Sequence, residues 1–394
     1  MEERRSDIDW IRSIALLFFV IYQALCVFCG GLQFAIPMQE PQLFSMCNLA
    51  LAIVEPFYLS LFFFLSGFCV FSEMYKKRAG QFLKKRAGRL LIPFAVVCFL
   101  VNPLTCFMAA CSIGSQDSFF KSASLYFETI FGNIIGEEYG IGTLHVSVLF
   151  FLFLFSVAGF FIFRAGKACY WDYQRIFARS KEVTYSVYKD WKKASFFSAV
   201  ADFCERPFAL LIIMIPVPFL YLCPGYQNFN PVAWFYVFLL GYLFATDVRY
   251  QRALDRDKWI YLGITVLLYV FYLICLFVPS FEGSGIVLTV LEKYIGAFLK
   301  ILPVFVILGF AHSFLPEREN RCLSYVKRAA FPVYLMHMPI LLLVIGLCNR
   351  IQAPVYLTLF LMMFGTLFLC LCVWQLYQKG KSFFFLCIGH MRRV

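Results

Sequence analysis

Apolar segments of about 20 residues recur along almost the whole chain, and they constrain the fold more than any other feature. A helix of that length crosses the hydrocarbon of a bilayer, where every backbone polar group needs an internal hydrogen bond. The composition agrees, since 62% of the residues are hydrophobic and only 15% are charged, against about 25% charged in soluble domains. We therefore predict an all-α integral membrane protein in which residues 1–394 form a single polytopic domain of about ten transmembrane helices. The predicted spans are 9–31, 47–72, 90–111, 142–164, 207–224, 230–247, 259–279, 287–312, 330–349 and 354–377.

The basic residues lie between the apolar segments in a regular alternation. Because cationic loops stay on the cytoplasmic side, this alternation predicts that both termini are cytoplasmic. The segments rich in Lys and Arg are the N-terminal tail, 73–89, 165–206, 247–258, 313–329 and 378–394. The segments that contain almost none are 32–46, 112–141, 225–229, 280–286 and 350–353.

The formal net charge of +12 suggests an anionic partner, and the position of the charges indicates which one. Cations that flank membrane spans face anionic lipid headgroups, so we expect membrane lipids as partners and no nucleic acid. The basic cytoplasmic loop 165–206 interleaves aromatic and cationic residues, which fits either a surface helix on the leaflet or an element that binds a partner. We expect the plasma membrane as the location, with 378–394 as a basic cytoplasmic tail.

The sixteen cysteines do not form a recognisable disulfide or metal pattern. Many, such as Cys98, Cys275 and Cys370, lie inside apolar runs, where a thiol behaves as a small hydrophobe. No zinc-type spacing with paired histidines occurs, so we expect no metal site. We predict that these cysteines serve packing.

Ionisable or strongly polar residues within the predicted spans are the candidates for function, because they are costly in lipid. They are Asp9, Arg12, Gln23, Glu55, His145, Lys300 and His337. Arg12 and Gln23 are eleven residues apart, which places them on one stripe of the first helix about 16 Å apart.

Each candidate also has a structural alternative. Asp9 and Arg12 lie near a helix end, where a charged side chain reaches the interface at little cost. Glu55 precedes a proline and fits an ion pair with Lys300. His337 fits an interhelical hydrogen bond as well as a substrate contact.

Arg86 and Arg89 are three residues apart, so on a helix they point to one side near the cytoplasmic interface. Arginine forks suit phosphate oxygens, and together with Arg12 they would present three guanidinium groups to one polyphosphate. An ordinary cluster of cytoplasmic cations is the alternative.

An ordered set of segments resembles the acyltransferase 3 family, over about residues 8–375. Its members are multi-spanning enzymes that O-acylate sugars and glycans at the cell surface. The segments that carry the resemblance are DWIRSIALL at 9–17, FFFLSGFCVF at 62–71, FLKKRAGRLLIPF at 82–94, GTLHVSVLFFLFLF at 142–155, FYVFLLGYLF at 235–244 and AAFPVYLMHMPIL at 329–341.

The resemblance implies a donor and an acceptor. Acyl-CoA, with acetyl-CoA as the expected form, approaches from the cytoplasm as a co-substrate, and no permanently bound cofactor is expected. Its phosphates are held by Arg12, Arg86 and Arg89, and its acyl group passes to a hydroxyl of a cell-surface or lipid-linked carbohydrate. The oligomeric state is left open.

The family pattern has a catalytic histidine at the position of Gln23. A primary amide orients a substrate by hydrogen bonds but does not accept a hydroxyl proton near neutral pH as histidine does. His145 is a possible substitute base, with an interfacial or packing role as its alternative. Three functions therefore remain open: an O-acyltransferase, a catalytically inactive relative that binds a lipid or glycan, and a transporter or flippase.

Overall fold

The computed structural model describes nine stretches of the chain, and all regular secondary structure within them is helical. They are residues 6–30, 41–75, 79–112, 118–133, 146–164, 196–221, 230–277, 286–315 and 320–391. The predicted all-α class is confirmed for these residues.

The helices are numbered here in chain order. In the first half they are α1 Ser6–Phe28, α2 Pro41–Tyr75, α3 Ala79–Val96, α4 Asn102–Ser112, α5 Phe119–Asn133 and α6 Ser147–Ala158. In the second half they are α7 Phe196–Cys204, α8 Ala209–Met214, α9 Pro216–Leu220, α10 Pro231–Phe244, α11 Val248–Phe277, α12 Ile286–Leu299, α13 Leu302–Phe314, α14 Arg321–Arg350, α15 Val355–Phe360 and α16 Thr366–Met391.

Within these nine described stretches, seven helical segments are long and apolar enough to cross a membrane, by length and composition. They are Ser6–Phe28, Pro41–Phe71, Gly80–Cys111, Val248–Phe277, Val290–Phe314, Arg321–Arg350 and Val355–Gly380. Three shorter apolar helices, Ser147–Ala158, Ala209–Leu220 and Pro231–Phe244, occupy the other three predicted spans. The exact number of ten spans and the cytoplasmic termini stay predictions.

Several helices extend further than the apolar pattern predicts. α11 begins at Val248 and α14 at Arg321, so most of the predicted loops 247–258 and 313–329 is helical, and these loop assignments are wrong there. For α14 the reason is a cap: the Asn320 side chain accepts a hydrogen bond from Leu323 N at 2.8 Å. Similarly, α5 lies within the predicted outer loop 112–141, and α16 continues to Met391 through much of the predicted tail.

The chain divides into two compact units. Unit 1 comprises Met1–Leu51, Pro93–Ser147 and Pro316–Val394, and unit 2 comprises Ala52–Ile92 and Val148–Leu315. The prediction of one polytopic domain for residues 1–394 is not tested by this division.

In unit 1, α1 packs along α14 through aliphatic side chains. Ala24 and Leu25 of α1 belong to one buried cluster with Leu341 and Leu342 of α14 and with Met362. In a bilayer the lipid tails are as apolar as these side chains, so such a core is held by close van der Waals packing and not by removal of apolar area from water.

The described part of unit 1 also contains two short π-helical segments, Val97–Val101 and Leu361–Gly365. A π-segment places one extra residue within an otherwise α-helical stretch. The second leads into Thr366, which is fully buried. Cys370, one turn later, lies in a buried cluster with Val20 and Val333.

In unit 2, α2 and α10 touch backbone to backbone. A Cβ atom added at Gly67 would lie 1.9 Å from the carbonyl oxygen of Phe238, and one added at Gly241 would lie 1.9 Å from that of Phe64. Real Cβ atoms do not approach so closely, so both positions need glycine for this contact. The two glycine motifs of the sequence, FFFLSGFCVF and FYVFLLGYLF, are therefore packing partners.

A charged cluster joins α7 to the start of α11 in unit 2. The buried Arg249 side chain pairs with Asp202, and its Nη2 lies 2.6 Å from Oδ2 of Asp247. The buried Asp257 accepts from Arg256 Nε at 2.7 Å and from the backbone N of Phe208 at 3.3 Å. These pairs compensate for the burial of the charged Arg249 and Asp257 side chains.

Candidate functional site

The first helix places Arg12 beside a carboxylate that two cations share. Arg12 Nη2 donates to Asp9 Oδ1 at 3.2 Å, and Lys327 Nζ of α14 lies 3.0 Å from Asp9 Oδ2. The Asp9 and Lys327 side chains are only 11% and 13% exposed, whereas the Arg12 side chain is 36% exposed. Asp9 therefore holds one terminal nitrogen of the Arg12 guanidinium, while about a third of the Arg12 side chain stays exposed.

Gln23 lies further along α1 and is half-buried. Phe19, one turn before Gln23, packs edge-on against the ring of His337 in α14, with ring centroids 5.3 Å apart. Gln23 therefore lies one helical turn after Phe19, the residue of α1 that contacts His337.

His337 is completely buried in unit 1. Its Nδ1 lies 2.7 Å from the carbonyl oxygen of Tyr334, in its own helix. Because a carbonyl only accepts, Nδ1 carries the proton of this bond and the neutral ring has its lone pair on Nε2. This contact is within α14, whereas one predicted alternative was an interhelical hydrogen bond.

In unit 2, Arg86 and Arg89 of α3 share Glu73 of α2. Arg86 is buried: its Nη1 donates to Glu73 Oε2 at 3.2 Å and its Nε donates to Ser156 Oγ at 3.1 Å. Arg89 pairs with Oε1 of the same glutamate, yet its side chain is 60% exposed. The spacing of three residues does bring the two arginines to one side, but only Arg89 presents most of its guanidinium outward.

Lys300 lies in a break between α12 and α13. Pro303 has no backbone N–H to donate to the carbonyl of Leu299, and its ring crowds that turn, which accounts for the break. The Lys300 ammonium lies 4.1 Å from the centre of the Tyr221 ring. Glu55 of α2 is exposed, and the described residues show no ion pair between Glu55 and Lys300, which was the predicted structural alternative.

Two parts of the predicted site remain predictions. His145, the possible substitute base, lies outside the described residues. Arg12 belongs to unit 1 and Arg86 and Arg89 belong to unit 2, so the predicted convergence of the three on one polyphosphate is not tested. Much of the basic loop 165–206, from 165 to 195, also lies outside the described residues.

The described residues contain no group of three or more His, Cys, Asp or Glu side chains that could hold a metal ion. The cysteines among them are free thiols, and Cys98 and Cys370 are buried.

Sequence reasoning missed Glu73, Ser156 and Lys327. Glu73 and Lys327 were assigned to loops, where charged residues are expected in solvent. The Asn320 cap gave a detectable signal that α14 begins early enough to include Lys327. No local signal identifies Ser156 as a partner of Arg86, because they are 70 residues apart in sequence.

A family model described as an acyltransferase domain matches residues 5–375, nearly the whole chain. This confirms the resemblance drawn from the ordered motifs. Neither a curated protein nor a solved structure gave a significant match.

Proposed function

Because the chain belongs to the acyltransferase 3 family, we propose that it transfers an acyl group from cytoplasmic acyl-CoA to a hydroxyl of a cell-surface or lipid-linked carbohydrate. The expected acyl group is acetyl, and the expected location is the plasma membrane. The observation that carries the proposal is Arg12, partly exposed, fixed by Asp9, and on the same stripe of α1 as Gln23.

The donor phosphates bind to arginine in this proposal. The 36% exposed Arg12 and the 60% exposed Arg89 are suited to contact phosphate oxygens directly. Arg86 is surrounded by protein acceptors, which supports a role in holding Glu73 and through it Arg89. The acyl-CoA is a co-substrate that leaves as CoA after each turnover.

The acyl transfer needs a base for the acceptor hydroxyl. The hydroxyl oxygen attacks the thioester carbonyl, the C–S bond breaks, and CoA leaves as a thiol after receiving a proton. Gln23 is suited to orient the hydroxyl or the thioester carbonyl through its amide, and His145 is the candidate to take the hydroxyl proton.

The test compares membranes that contain the native protein, the Gln23→His variant or the His145→Ala variant. Each receives radiolabelled acetyl-CoA, and label is counted in cell-envelope glycans. We expect transfer by the native protein and its loss in His145→Ala, with equal amounts of folded protein as the control. Transfer that persists in His145→Ala would remove His145 from the mechanism.

A second candidate function is that of a non-catalytic relative, and the observation that favours it is Gln23 at the position of the family's histidine. If the native protein transfers no label and Gln23→His does, the chain is a relative that keeps an acyl-CoA site but does not catalyse. Its function would then be binding of a lipid or glycan.

A further inference from the structure

α5 lies in a stretch that the sequence predicts as an outer loop, yet it packs along a membrane-spanning helix. Its partner is the stretch from Val97 to Ser112, which comprises a π-segment and α4 and belongs, like α5, to unit 1. Up to Cys111 this stretch is the final part of the candidate membrane span Gly80–Cys111. The direction in which α5 runs along the span determines whether it stays outside the bilayer or enters it.

Three side-chain contacts at successive levels join α5 to this span. They are the rings of Phe119 and Phe107, with centroids 5.7 Å apart, the Asn102 Nδ2 that donates to the Tyr126 hydroxyl at 3.3 Å, and the stacked rings of Phe127 and Phe99, with centroids 6.2 Å apart. As the residue number rises from 119 to 127 in α5, the number of the partner falls from 107 to 99. α5 is therefore antiparallel to the span and runs back from its end.

The depth that α5 reaches follows from the apolar length of the span. Residues 90–111 carry no charged side chain and extend over about 33 Å, close to the thickness of the hydrocarbon. Phe99 comes twelve residues before Cys111 and so lies about 18 Å from that end of the span. Because the Phe127 ring stacks on Phe99, α5 extends to the middle of the hydrocarbon.

The side of α5 that meets the span is buried, and another side carries exposed aromatic rings. Tyr126 is 3% exposed, and Ser122, one turn earlier, is 9% exposed. Phe120 and Phe127 are seven residues apart, so they share one side of the helix, and their exposed fractions are 82% and 40%. We call these two residues the apolar stripe. Lipid tails are themselves apolar, so they can cover this stripe without desolvating a polar group.

A polar stripe, which we define as Lys121, Ser124 and Glu128, lies beside the apolar stripe. The spacing of three and four residues places these side chains on one side of α5, and all three are exposed. Glu128 directly follows Phe127 and therefore lies near the middle of the hydrocarbon. Among the described residues, Glu128 has no ion-pair or hydrogen-bond partner. Because a carboxylate at that depth is costly against lipid, the polar stripe must adjoin water.

We propose that α5 is a membrane-inserted helix that separates lipid from water. Lipid acyl chains cover the apolar stripe, and the polar stripe lines a water-filled path that leads from the Cys111 end of the span to the middle of the bilayer. That end is the outer one in the predicted topology, so the path opens to the outside of the cell. The path does not depend on acyl transfer and so goes beyond the function proposed above.

The first experiment measures the reactivity of thiols introduced into α5 of the full chain in sealed membrane vesicles. Phe127→Cys and Glu128→Cys are a matched pair at one depth, with one residue in each stripe. Phe120→Cys and Ser124→Cys form a second pair nearer the outer end. A cationic, membrane-impermeant methanethiosulfonate is added to right-side-out vesicles. Mass spectrometry of chymotryptic peptides follows each introduced thiol, so the native cysteines stay in place.

We expect Glu128→Cys and Ser124→Cys to react at least about tenfold faster than the phenylalanine variants, because the reagent attacks a thiolate, which forms in water and not in hydrocarbon. Their rates should fall when the reagent is added to inside-out vesicles. Unfolding midpoints near the native value serve as the folding control, and the near-isosteric Ser124→Cys keeps the test decisive if Glu128→Cys does not fold. Equal rates within the pairs, or faster reaction in inside-out vesicles, would overturn the water-filled path.

The second experiment tests the contact of α5 with lipid. The photoreactive residue p-benzoylphenylalanine replaces Phe120, Phe127 or Ser124 in turn, and mass spectrometry detects covalent adducts with phospholipid acyl chains after illumination. We expect lipid adducts at positions 120 and 127 and few at 124. The absence of lipid adducts at 127 would overturn the insertion of α5, and equal yields at 124 and 127 would overturn the separation of lipid from water.

Discussion

The helices within unit 1 and the helices within unit 2 are packed by different kinds of contact. In unit 2, backbone meets backbone at Gly67 and Gly241, and the buried arginines Arg86 and Arg249 each bind several fixed acceptors. In unit 1, α1 and α14 meet through Leu, Ala and Met side chains, with Asp9 shared by two cations at one end. A glycine contact has no side chain that can move aside, whereas an aliphatic core tolerates swaps of similar volume. We therefore expect unit 2 to be the more sensitive to small substitutions.

The largest effect should come from Gly67→Ala and Gly241→Ala. Each adds one methyl group where the carbonyl oxygen of the partner helix would be 1.9 Å away, so α2 and α10 must separate. Overpacking against a backbone should lower the free energy of unfolding by more than about 3 kcal/mol. Thermal unfolding in detergent and the yield of monodisperse protein measure this effect.

Two controls accompany the glycine variants. Gly263 lies in α11 with no atom within 4 Å of an added Cβ, so Gly263→Ala should be neutral or stabilise by up to about 1 kcal/mol. Leu342→Met in the core of unit 1 conserves volume and should cost less than about 1.5 kcal/mol. A loss from Leu342→Met as large as that from Gly67→Ala would abolish the contrast between the units.

Arg86→Ala should mainly lower the stability of the protein, whereas Arg89→Ala should mainly weaken the binding of acetyl-CoA. Removal of the buried Arg86 leaves Ser156 and part of Glu73 without their donor and should cost about 3 kcal/mol. Arg89→Ala removes an exposed cation, so the unfolding midpoint should stay near native while the KM for acetyl-CoA rises several-fold. Thermal unfolding and initial rates on the same preparations measure both quantities, and a stability loss in Arg89→Ala equal to that in Arg86→Ala would refute the separation.

Asp9→Asn tests the corresponding feature of unit 1. The variant keeps the shape of the side chain but removes the charge shared by Arg12 and Lys327, and it should cost about 1 to 3 kcal/mol. If Asp9 aims Arg12, the KM for acetyl-CoA should rise more than kcat falls. Glu128→Gln, at an exposed position of α5, serves as the control. It should change neither the free energy of unfolding nor the KM for acetyl-CoA.

The smallest loss of stability is expected from removal of a helix cap, and two caps can be compared. Asn230 is buried, accepts from Val232 N and Ala233 N, and donates to the carbonyl oxygen of Leu220. Asn320 is exposed and accepts from Leu323 N. We expect Asn230→Ala in unit 2 to cost about 2 kcal/mol and Asn320→Ala in unit 1 about 0.5 kcal/mol. Equal losses in thermal unfolding would mean that burial does not distinguish the caps.

Sequence alone predicted where the apolar helices lie, because hydropathy is a property of each segment by itself. It also identified the segments that carry Gly67 and Gly241, through their likeness to a family pattern. That they contact each other could not be predicted, since two glycines far apart in sequence leave no pairing signal.

The candidate site was less predictable than the helices. Arg86 and Arg89 look equivalent by spacing, yet one is buried and one exposed, because burial depends on Ser156 and Glu73 from other helices. Lys327 was missed because a charge-rich stretch resembles a loop until a capping residue is recognised. Side-chain environments of this kind depend on tertiary contacts that single-sequence patterns do not encode.

The π-segment Leu361–Gly365 sets the rotational phase of everything that follows it. One residue of an α-helix corresponds to a rotation of about 100° and an advance of about 1.5 Å. If Leu361–Gly365 wound as a regular α-helix with no residue removed, Cys370 would turn away from Val20 and Val333 and a different stripe of α16 would face α1. Because the wider π-turn accommodates one extra residue, deleting that residue together with the π-turn would leave the orientation of α16 nearly unchanged.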